Sequence, residues 1–461
     1  MTPRAEGSPP VRAELKALAT IAGPLAVALL AEMAMSFTDL AVVGRLGNLE
    51  LAAVGLAGNI FFSLLFVCMG LVSIVGVHVA EAAAVHDPEH GARSVRQGFW
   101  VAFVVSVPAT ALAWYLGPIL RALRQDEAVI VVAEEYLRAV AWCFLPYMWF
   151  TVLRNFVSPL ARVGAVTVIC IGGVALNFGA NYVLVFGKFG FPALGVAGSG
   201  YATSLVCWAM ALALLVYASR CRELRAYPIL ARLGRIDFRL WRQMLAFGLP
   251  VAGGAAVESA LFSTVAVLMG VLGPITLAAN QIAYNFWGLI YVVPYSLSLA
   301  ASYRVAHGIA RGEPRAARQA GLLAMVGGAG YAMVVAGFIW IAPQSVVGLY
   351  LDADSAGNAE VVSLAVALLG LLAVFQLMDG AQVIAAGALR GLKDTALPLF
   401  AGILGYWVVG LGSGYWLAFR LGYGARGLWW GLAMGLAVAA TLLTSRFLVL
   451  SRRGQAGGSS S

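Results

Sequence analysis

Three acidic side chains lie well inside long apolar segments of this sequence: Asp39, Glu258 and Asp379. An ionised carboxylate at the centre of a bilayer costs roughly 2.5–3.5 kcal/mol even on the mildest insertion scale. Acids in such positions therefore usually face a cavity and handle ions or substrate. Their presence predicts an ion-coupled transport function.

Glu258 and Asp379 both belong to the second half of the chain, and no Arg or Lys lies deep in either of their segments. Two carboxylates that meet supply oxygen ligands for a hard monovalent cation, and their repulsion favours uptake of a positive charge when the site is empty. We predict a cation site at Glu258 and Asp379, with Na⁺ as the first choice of metal ion and H⁺ as the alternative coupling ion.

Asp39 has polar candidates for neighbours in the first half of the chain. Asn177 and Asn181 are four residues apart and share one face of a helix, and Thr203 lies in the following apolar segment. These four residues predict either a polar coupling network or hydrogen bonds that only join helices. Glu32 lies on nearly the same helix face as Asp39, which leaves open whether it is a cavity residue or an accessory acid.

Proline and aromatic residues add two further hypotheses. Pro24 and Pro250 each lie in the first half of an apolar segment, where proline removes a hydrogen bond and kinks the helix. They are predicted hinges, and a static kink is the alternative. A substrate cleft for cationic drugs is predicted from Glu32 and four aromatic residues, which otherwise belong to interfacial belts: Phe61, Phe286, Trp287 and Tyr291.

The composition places these residues in a lipid bilayer. Of the 461 residues 61% are hydrophobic and only 11% are charged, with a mean hydropathy of +0.88, which is too little polar surface for a soluble globule. Continuous apolar runs of about 20 residues or more favour spanning helices over alternating barrel strands. The twelve predicted spans are 15–44, 51–79, 97–117, 131–157, 166–186, 196–219, 243–272, 277–303, 320–342, 359–388, 396–419 and 424–448.

Basic residues predict the orientation. The formal charge is +9, but the Lys and Arg residues are scattered between apolar segments, which excludes a nucleic-acid partner and instead orients the helices. Of 30 such residues, 23 fall on one side if both termini are cytoplasmic, as the bias predicts. The other seven are Arg45, Arg121, Arg124, Arg138, Lys188, Arg420 and Arg426.

The two halves of the sequence repeat at an offset of 226 residues, which pairs Pro24 with Pro250 and Glu32 with Glu258. Because each half has six segments, the halves are parallel repeats with a cavity between two lobes. The predicted domains are an N-terminal tail 1–14, a lobe 15–219, a basic linker 220–242, a lobe 243–448 and a C-terminal tail 449–461. The fold class is an all-α membrane protein with twelve transmembrane helices in two pseudo-symmetric six-helix lobes.

The sequence lacks the motifs of other functional classes. The five cysteines are odd in number and without CxxC spacing, so neither a disulfide framework nor a zinc site is indicated. There is no GxxxxGK[ST] loop for ATP, and no nucleophile–base or metal constellation of an enzyme. We expect no cofactor other than the coupling ion, and no obligate protein partner.

Several motifs together resemble one family, the multidrug and toxic compound extrusion (MATE) transporters, most of all their NorM branch. The likeness covers about 15–445 and is carried by Phe37-Thr38-Asp39 through Gly44-Arg45-Leu46-Gly47, Leu51-Ala52-Ala53-Val54, the Glu258 segment to Gly270, Gln281 to Gly308, and Met378-Asp379 followed by Ala385 to Gly391. Phe375 departs from the usual Tyr, and Glu32 from the usual neutral residue.

The resemblance implies two six-helix lobes, an outward-facing cleft and cation-driven export of lipophilic organic cations across a bacterial inner membrane. It places Asp39 as the acid of the first lobe with Asn177, Asn181 and Thr203 as neighbours, and Glu258 and Asp379 as cation-site acids. A lipid-linked saccharide flippase of the same superfamily is the alternative. Such a flippase is expected to need a strongly cationic cavity, whereas the membrane-embedded charges here are acidic.

Overall fold

The computed structural model describes residues 10–122, 125–351 and 356–457, and every regular element within these ranges is helical. Arg124, residues 1–9 of the predicted N-terminal tail and residues 458–461 of the C-terminal tail lie outside the described residues. The helices of the first half are α1 (Val11–Val43), α2 (Asn48–Leu71), α3 (Ile74–Ala84), α4 (Pro88–Trp114), α5 (Gly117–Ala122), α6 (Glu127–Val140), α7 (Phe144–Val157), α8 (Val163–Phe186) and α9 (Gly195–Arg220).

The regular elements in the described residues of the second half are also helical. Its helices are α10 (Phe238–Val271), α11 (Pro274–Ala310), α12 (Pro314–Ile341), α13 (Pro343–Val347), α14 (Ala359–Gly391), α15 (Ala396–Gly402), α16 (Gly412–Tyr415) and α17 (Gly424–Gly457). Two π-helical stretches, Ile403–Leu411 and Trp416–Arg420, join α15, α16 and the turn before α17 into one segment.

Ten helical segments among the described residues are long and apolar enough to cross a membrane, with α2 and α3 counted as one segment and Ala396–Arg420 as another. The other two predicted spans are also helical: residues 127–157 form α6 and α7, and 277–303 lie within α11, whose 37 residues include several polar side chains. The predicted class, an all-helical membrane protein, is confirmed.

The predicted span 131–157 is not one continuous α-helix, which corrects the sequence-based expectation. A 3₁₀ turn, Ala141–Cys143, separates α6 from α7. Pro146 lies in the first turn of α7. Proline has no N–H to donate to the preceding turn, and it is tolerated where a new helix begins. The chain therefore restarts its helix there.

The chain forms two compact units. One comprises Pro24–Ala252, and the other comprises the chain up to Gly23 together with the chain from Gly253 onward. Both divisions fall inside long helices, the first at Pro24 of α1 and the second two residues after Pro250 of α10. The division points and the two predicted hinge prolines therefore nearly coincide.

Residues of the basic linker 220–242 are held on α4. Gln97 Nε2 donates to the carbonyl oxygen of Arg235 at 2.8 Å, and Gln97 Oε1 accepts from Trp241 Nε1 at 2.8 Å. Asp237 caps the start of α10 and pairs with Arg93. The Leu240 backbone N–H and the Arg93 guanidinium hold the pKa of Asp237 below its ordinary value. The linker is therefore bound to α4 by these hydrogen bonds and by the ion pair.

Glycines bring the segment 396–420 against α17. A Cβ atom added at Gly431 would overlap the backbone of Gly414, and one added at Gly435 would overlap the carbonyl oxygen of Gly405. Such close approach between membrane helices needs residues without side chains. This packing fixes Tyr406, which lies on the first π-helical stretch, at the cavity described below.

Candidate functional site

The predicted Asp39 cluster forms within the unit Pro24–Ala252. Asp39 Oδ1 accepts hydrogen bonds from Asn177 Nδ2 at 3.0 Å and from Asn181 Nδ2 at 2.7 Å. Asp39 Oδ2 accepts from Thr203 Oγ1 at 2.7 Å. The carboxylate is only 4% exposed. Helices α1, α8 and α9 therefore converge on one buried acid.

Both asparagines donate to Asp39 from their amide nitrogens, and their amide oxygens are not used in these hydrogen bonds. Asn177 Oδ1 and Asn181 Oδ1 are buried and accept no hydrogen bond from the described residues. A buried acceptor without a partner is costly. Carboxylate and amide oxygens gathered in one place have the chemistry to hold a proton or a small cation.

Glu258 and Asp379 line one small cavity in the other unit. Its further lining residues are Leu261, Phe262, Phe375, Tyr406, Leu432 and Leu436. The cavity has room for about one water-sized particle. The two acids come from different helices, α10 and α14, as the prediction of a shared site requires. The size suits a small dehydrated cation, and it excludes a drug-sized molecule.

The two acids have different surroundings. Asp379 is 3% exposed, and its Oδ2 accepts a hydrogen bond from Trp287 Nε1 at 2.9 Å. A longer bond of 3.4 Å joins Gln382 Nε2 to Asp379 Oδ1. Glu258 is only partly buried. The Phe375 ring supplies no oxygen to this cavity, so the acids and the Tyr406 hydroxyl are its oxygen-bearing groups.

A row of aromatic rings runs along one face of α11. Tyr284 and Trp287 have ring centroids 5.3 Å apart, Trp287 and Tyr291 are 5.0 Å apart, and Tyr291 and Tyr295 are 5.9 Å apart. The spacing of three and four residues places these side chains on one helix face. Trp287 belongs both to this row and to the Asp379 site.

Two other aromatic residues of the predicted cleft are buried in apolar surroundings. Phe286 is 5% exposed and packs in the core of the unit that contains α11. Phe61 is 1% exposed and belongs to the other unit, where its ring lies 4.6 Å from that of Phe144. Among the predicted aromatic residues, Trp287 and Tyr291 are therefore brought together.

Glu32 forms a buried ion pair that corrects the expectation of a membrane interior without basic groups. Its Oε1 lies 2.9 Å from Arg154 Nη1, and its Oε2 accepts from the Tyr147 hydroxyl at 2.7 Å. Arg154 was counted among the 23 basic residues of the predicted cytoplasmic side, at the end of the predicted span 131–157, yet it lies within α7 and is 2% exposed.

Sequence reasoning missed four residues of these sites: Tyr147, Arg154, Gln382 and Tyr406. Gln382 was accessible to it, because a residue three positions after Asp379 shares its helix face. The other three come from segments far away in sequence, and no local pattern pairs them with an acid. Their roles depend on packing alone.

Solved MATE structures share this fold. A eukaryotic MATE transporter, AtDTX14, superposes with a TM-score of 0.84 at 23% identity, covering 97% of this chain and 99% of that one. A MATE structure in a bent conformation superposes with a TM-score of 0.87 at 18% identity, covering 98% and 100%. The fold is therefore that of a multi-pass MATE-type membrane protein.

The sequence comparisons identify the family. The MatE family model matches residues 24–183 and again 250–416, and the two matches begin at the positions related by the internal repeat. A probable multidrug resistance protein NorM from Pseudomonas aeruginosa is 39% identical over 440 residues, covering 95% of this chain and 90% of the relative. The multidrug resistance protein NorM of Burkholderia vietnamiensis is 40% identical over 435 residues, covering 93% and 92%.

This chain belongs to the MATE family and is NorM-like. The resemblance inferred from its motifs is confirmed. The family consists of ion-coupled antiporters, so the expectation of a transporter and not an enzyme is also confirmed.

Proposed function

We propose that this protein is a secondary antiporter that exports lipophilic organic cations in exchange for Na⁺, with H⁺ as the alternative coupling ion. The observation that carries the proposal is the pair of membrane-embedded acids, Glu258 and Asp379, on one cavity of ionic size. An acid is retained inside a membrane against its insertion cost where it serves transport.

Sodium is the first choice because the cavity offers carboxylate oxygens. A hard cation prefers oxygen ligands, and Glu258, Asp379 and the Tyr406 hydroxyl all line the same space. The Na⁺ ion would compensate the two negative charges that otherwise repel each other. Phe375, which stands where NorM-like proteins often carry Tyr, leaves the site with one potential oxygen ligand fewer.

Protons are the alternative through Asp39. This acid already accepts three hydrogen bonds, and all three donors are neutral. No basic side chain among the described residues pairs with it. Its charge is thus open to neutralisation by H⁺, and the amide oxygens of Asn177 and Asn181 are buried acceptors without a partner among the described residues.

Lipophilic cations are the proposed substrates because of the chemistry around Asp379. The aromatic row on α11 offers ring faces that attract cations, and the nearby acids add Coulombic attraction. The relatives are named multidrug resistance proteins. Arg154, the arginine buried beside Glu32, is neutralised by that acid and makes no cationic cavity for a pyrophosphate, which disfavours the flippase alternative.

Competition at the acids supplies the proposed mechanism. Binding of the ion neutralises the carboxylates and weakens their hold on the drug, and the resulting difference in affinity between two conformations drives the cycle. Pro24 and Pro250 are the proposed hinges, because the division between the compact units falls at or beside them. Each interrupts the hydrogen bonding of a long helix and lowers the cost of bending there.

Efflux from proteoliposomes tests the coupling ion. Ethidium efflux is expected to accelerate when Na⁺ is added at constant pH, because bound Na⁺ neutralises the two acids and weakens their attraction for the drug. The measurement is ethidium fluorescence in vesicles that contain the purified protein, with K⁺ added as the control. Acceleration by an acid pulse alone, without any effect of Na⁺, would transfer the assignment to protons.

Labelling from outside tests the topology. Both termini and the linker 220–242 are proposed to be cytoplasmic, in a bacterial inner membrane. A cysteine at Arg232, which is exposed, should resist a membrane-impermeant maleimide in intact cells, whereas one at the exposed Lys188 should react. The parent is a Cys221→Ser variant, since the other four cysteines are buried. Outside labelling at position 232 would overturn the orientation.

A further inference from the structure

We propose that Trp287 competes with the coupling cation for Oδ2 of Asp379 and thereby sets the cation affinity and the preference of this site for H⁺ over Na⁺. This inference rests on the proposed antiport at Glu258 and Asp379. It assigns to an aromatic residue of α11 a role in ion selectivity, distinct from contact with a drug.

The indole N–H of Trp287 is directed at one atom. It donates to Asp379 Oδ2 over 2.9 Å. Trp287 is 8% exposed, and its ring is bounded by Phe262 at 4.6 Å and Tyr284 at 5.3 Å between ring centroids. An indole nitrogen is a donor only, so it serves a carboxylate and never a cation. The hydrogen bond is of the charge-assisted kind, which is the stronger kind.

A metal cation that both carboxylate oxygens of Asp379 coordinate shares Oδ2 with this N–H. The bond from Gln382 to Oδ1 is long, at 3.4 Å, so Oδ2 is the more strongly occupied oxygen of Asp379. Na⁺ and the positive end of the N–H dipole repel each other when they share one oxygen. Na⁺ must therefore displace the indole or bind beside it at a cost.

A proton disturbs this hydrogen bond less than a metal cation does, although the bond loses its charge-assisted strength once Asp379 is neutral. Carried on Oδ1, it leaves Oδ2 free to keep accepting from Trp287. Trp287 therefore penalises Na⁺ more than H⁺. The titratable side chains facing the acid from the surrounding elements are Glu258 from α10, Tyr406 from the π-helical stretch, and Tyr284 and Tyr291 from α11, whereas α17 contributes Leu432 and Leu436.

The test compares two tryptophan variants. Trp287→Phe keeps a ring and removes the N–H at Asp379. Trp429→Phe is the matched control: Trp429 is 2% exposed in the same unit, and its N–H donates at 3.1 Å to Asn280 Oδ1 and not to an acid. Binding of radioactive ²²Na⁺ to the purified full-length protein is measured at constant pH, together with the pH dependence of ethidium efflux.

Trp287→Phe is expected to lower the half-saturating Na⁺ concentration about tenfold, the effect of losing one hydrogen bond to a charged group. The pH dependence should move less, and Trp429→Phe should match the wild type in both. An unchanged or weakened Na⁺ affinity in Trp287→Phe, or equal shifts in both variants, would overturn the inference. Trp287→Leu, which has no side-chain donor, is the second variant if Trp287→Phe does not fold.

Asp379→Asn separates this inference from the proposed function. If that variant binds Na⁺ as the wild type does, the coupling site itself is misplaced. If Asp379→Asn loses Na⁺ binding while Trp287→Phe leaves it unchanged, the coupling site stands and only the role of Trp287 fails.

Discussion

Replacing Asp379 by asparagine, or Glu258 by glutamine, is expected to abolish ion-driven efflux of ethidium. Each substitution removes one of the two charges that line the cation cavity, so the site can no longer exchange a drug for an ion. Insertion and expression should persist, because removing a charge from the bilayer interior relieves a desolvation cost. Efflux under an imposed Na⁺ gradient and under an imposed pH gradient measures the loss.

Asp394→Asn is the matched control for this experiment. Asp394 also belongs to the second half, but it follows the end of α14 and pairs with the more exposed Arg446 at 2.9 Å. An ion pair of this exposed kind contributes roughly 0–1 kcal/mol, so efflux should remain near the wild-type rate. Wild-type efflux by either Asp379→Asn or Glu258→Gln under the same gradient would show that the coupling site is elsewhere.

Replacing Arg154 by methionine is expected to destabilise the protein strongly. Arg154 and Glu32 are both largely shielded, with side-chain exposures of 3% and 12%, and the substitution would leave the Glu32 charge buried without its cation. Breaking a buried pair in this way costs about 3–5 kcal/mol of unfolding free energy. Denaturant unfolding of the purified protein in detergent measures the loss.

A double variant identifies the cause of that destabilisation. Glu32→Gln combined with Arg154→Met removes both charges and should recover most of the lost stability, because an uncharged pair is often as stable as a buried ion pair. Arg138→Met is the surface control, since the Arg138 side chain is 52% exposed and its pair with Glu134, 3.2 Å away, contributes little. If the double variant is no more stable than Arg154→Met, Arg154 stabilises the protein through its packing contacts and not through its ion pair with Glu32.

The Glu32–Arg154 pair also bears on the substrate cleft. A carboxylate that is already neutralised by a guanidinium and bonded to Tyr147 exerts little net attraction on an organic cation. Glu32 remains among the proposed cleft residues, but its charge is compensated by Arg154. The attraction proposed for substrates therefore rests chiefly on Asp379, Glu258 and the aromatic row of α11.

Residue spacing within one helix predicted which side chains share a helix face. Asn177 and Asn181 were placed on one face from their separation alone, and both indeed donate to Asp39. The helical period is a local property, so a sequence reveals it directly. The span 131–157 shows the limit of this reasoning, because hydropathy identified the apolar run but not the 3₁₀ turn before Pro146.

Helical spacing did not predict contacts between segments that are far apart in the sequence. Trp287 and Asp379 are 92 residues apart, and Glu32 and Arg154 are 122 apart. The sequence presented Trp287 only as a cleft aromatic, and Arg154 only as one of the basic residues of the predicted cytoplasmic side. Which helix face meets which neighbour depends on packing along the whole length of both helices.

The sequence by itself determined that this chain is a helical membrane protein with a repeated half, that acids lie inside its spans, and that it resembles one transporter family. Those properties follow from the composition and order of residues within each segment, since the bilayer selects segments by their apolar length. Only the tertiary structure decided that Asp379 meets Trp287, and that Glu32 is held by Arg154. An apolar segment can rotate about its own axis without changing its hydropathy, so the pairing of its polar side chains is settled only when helices pack.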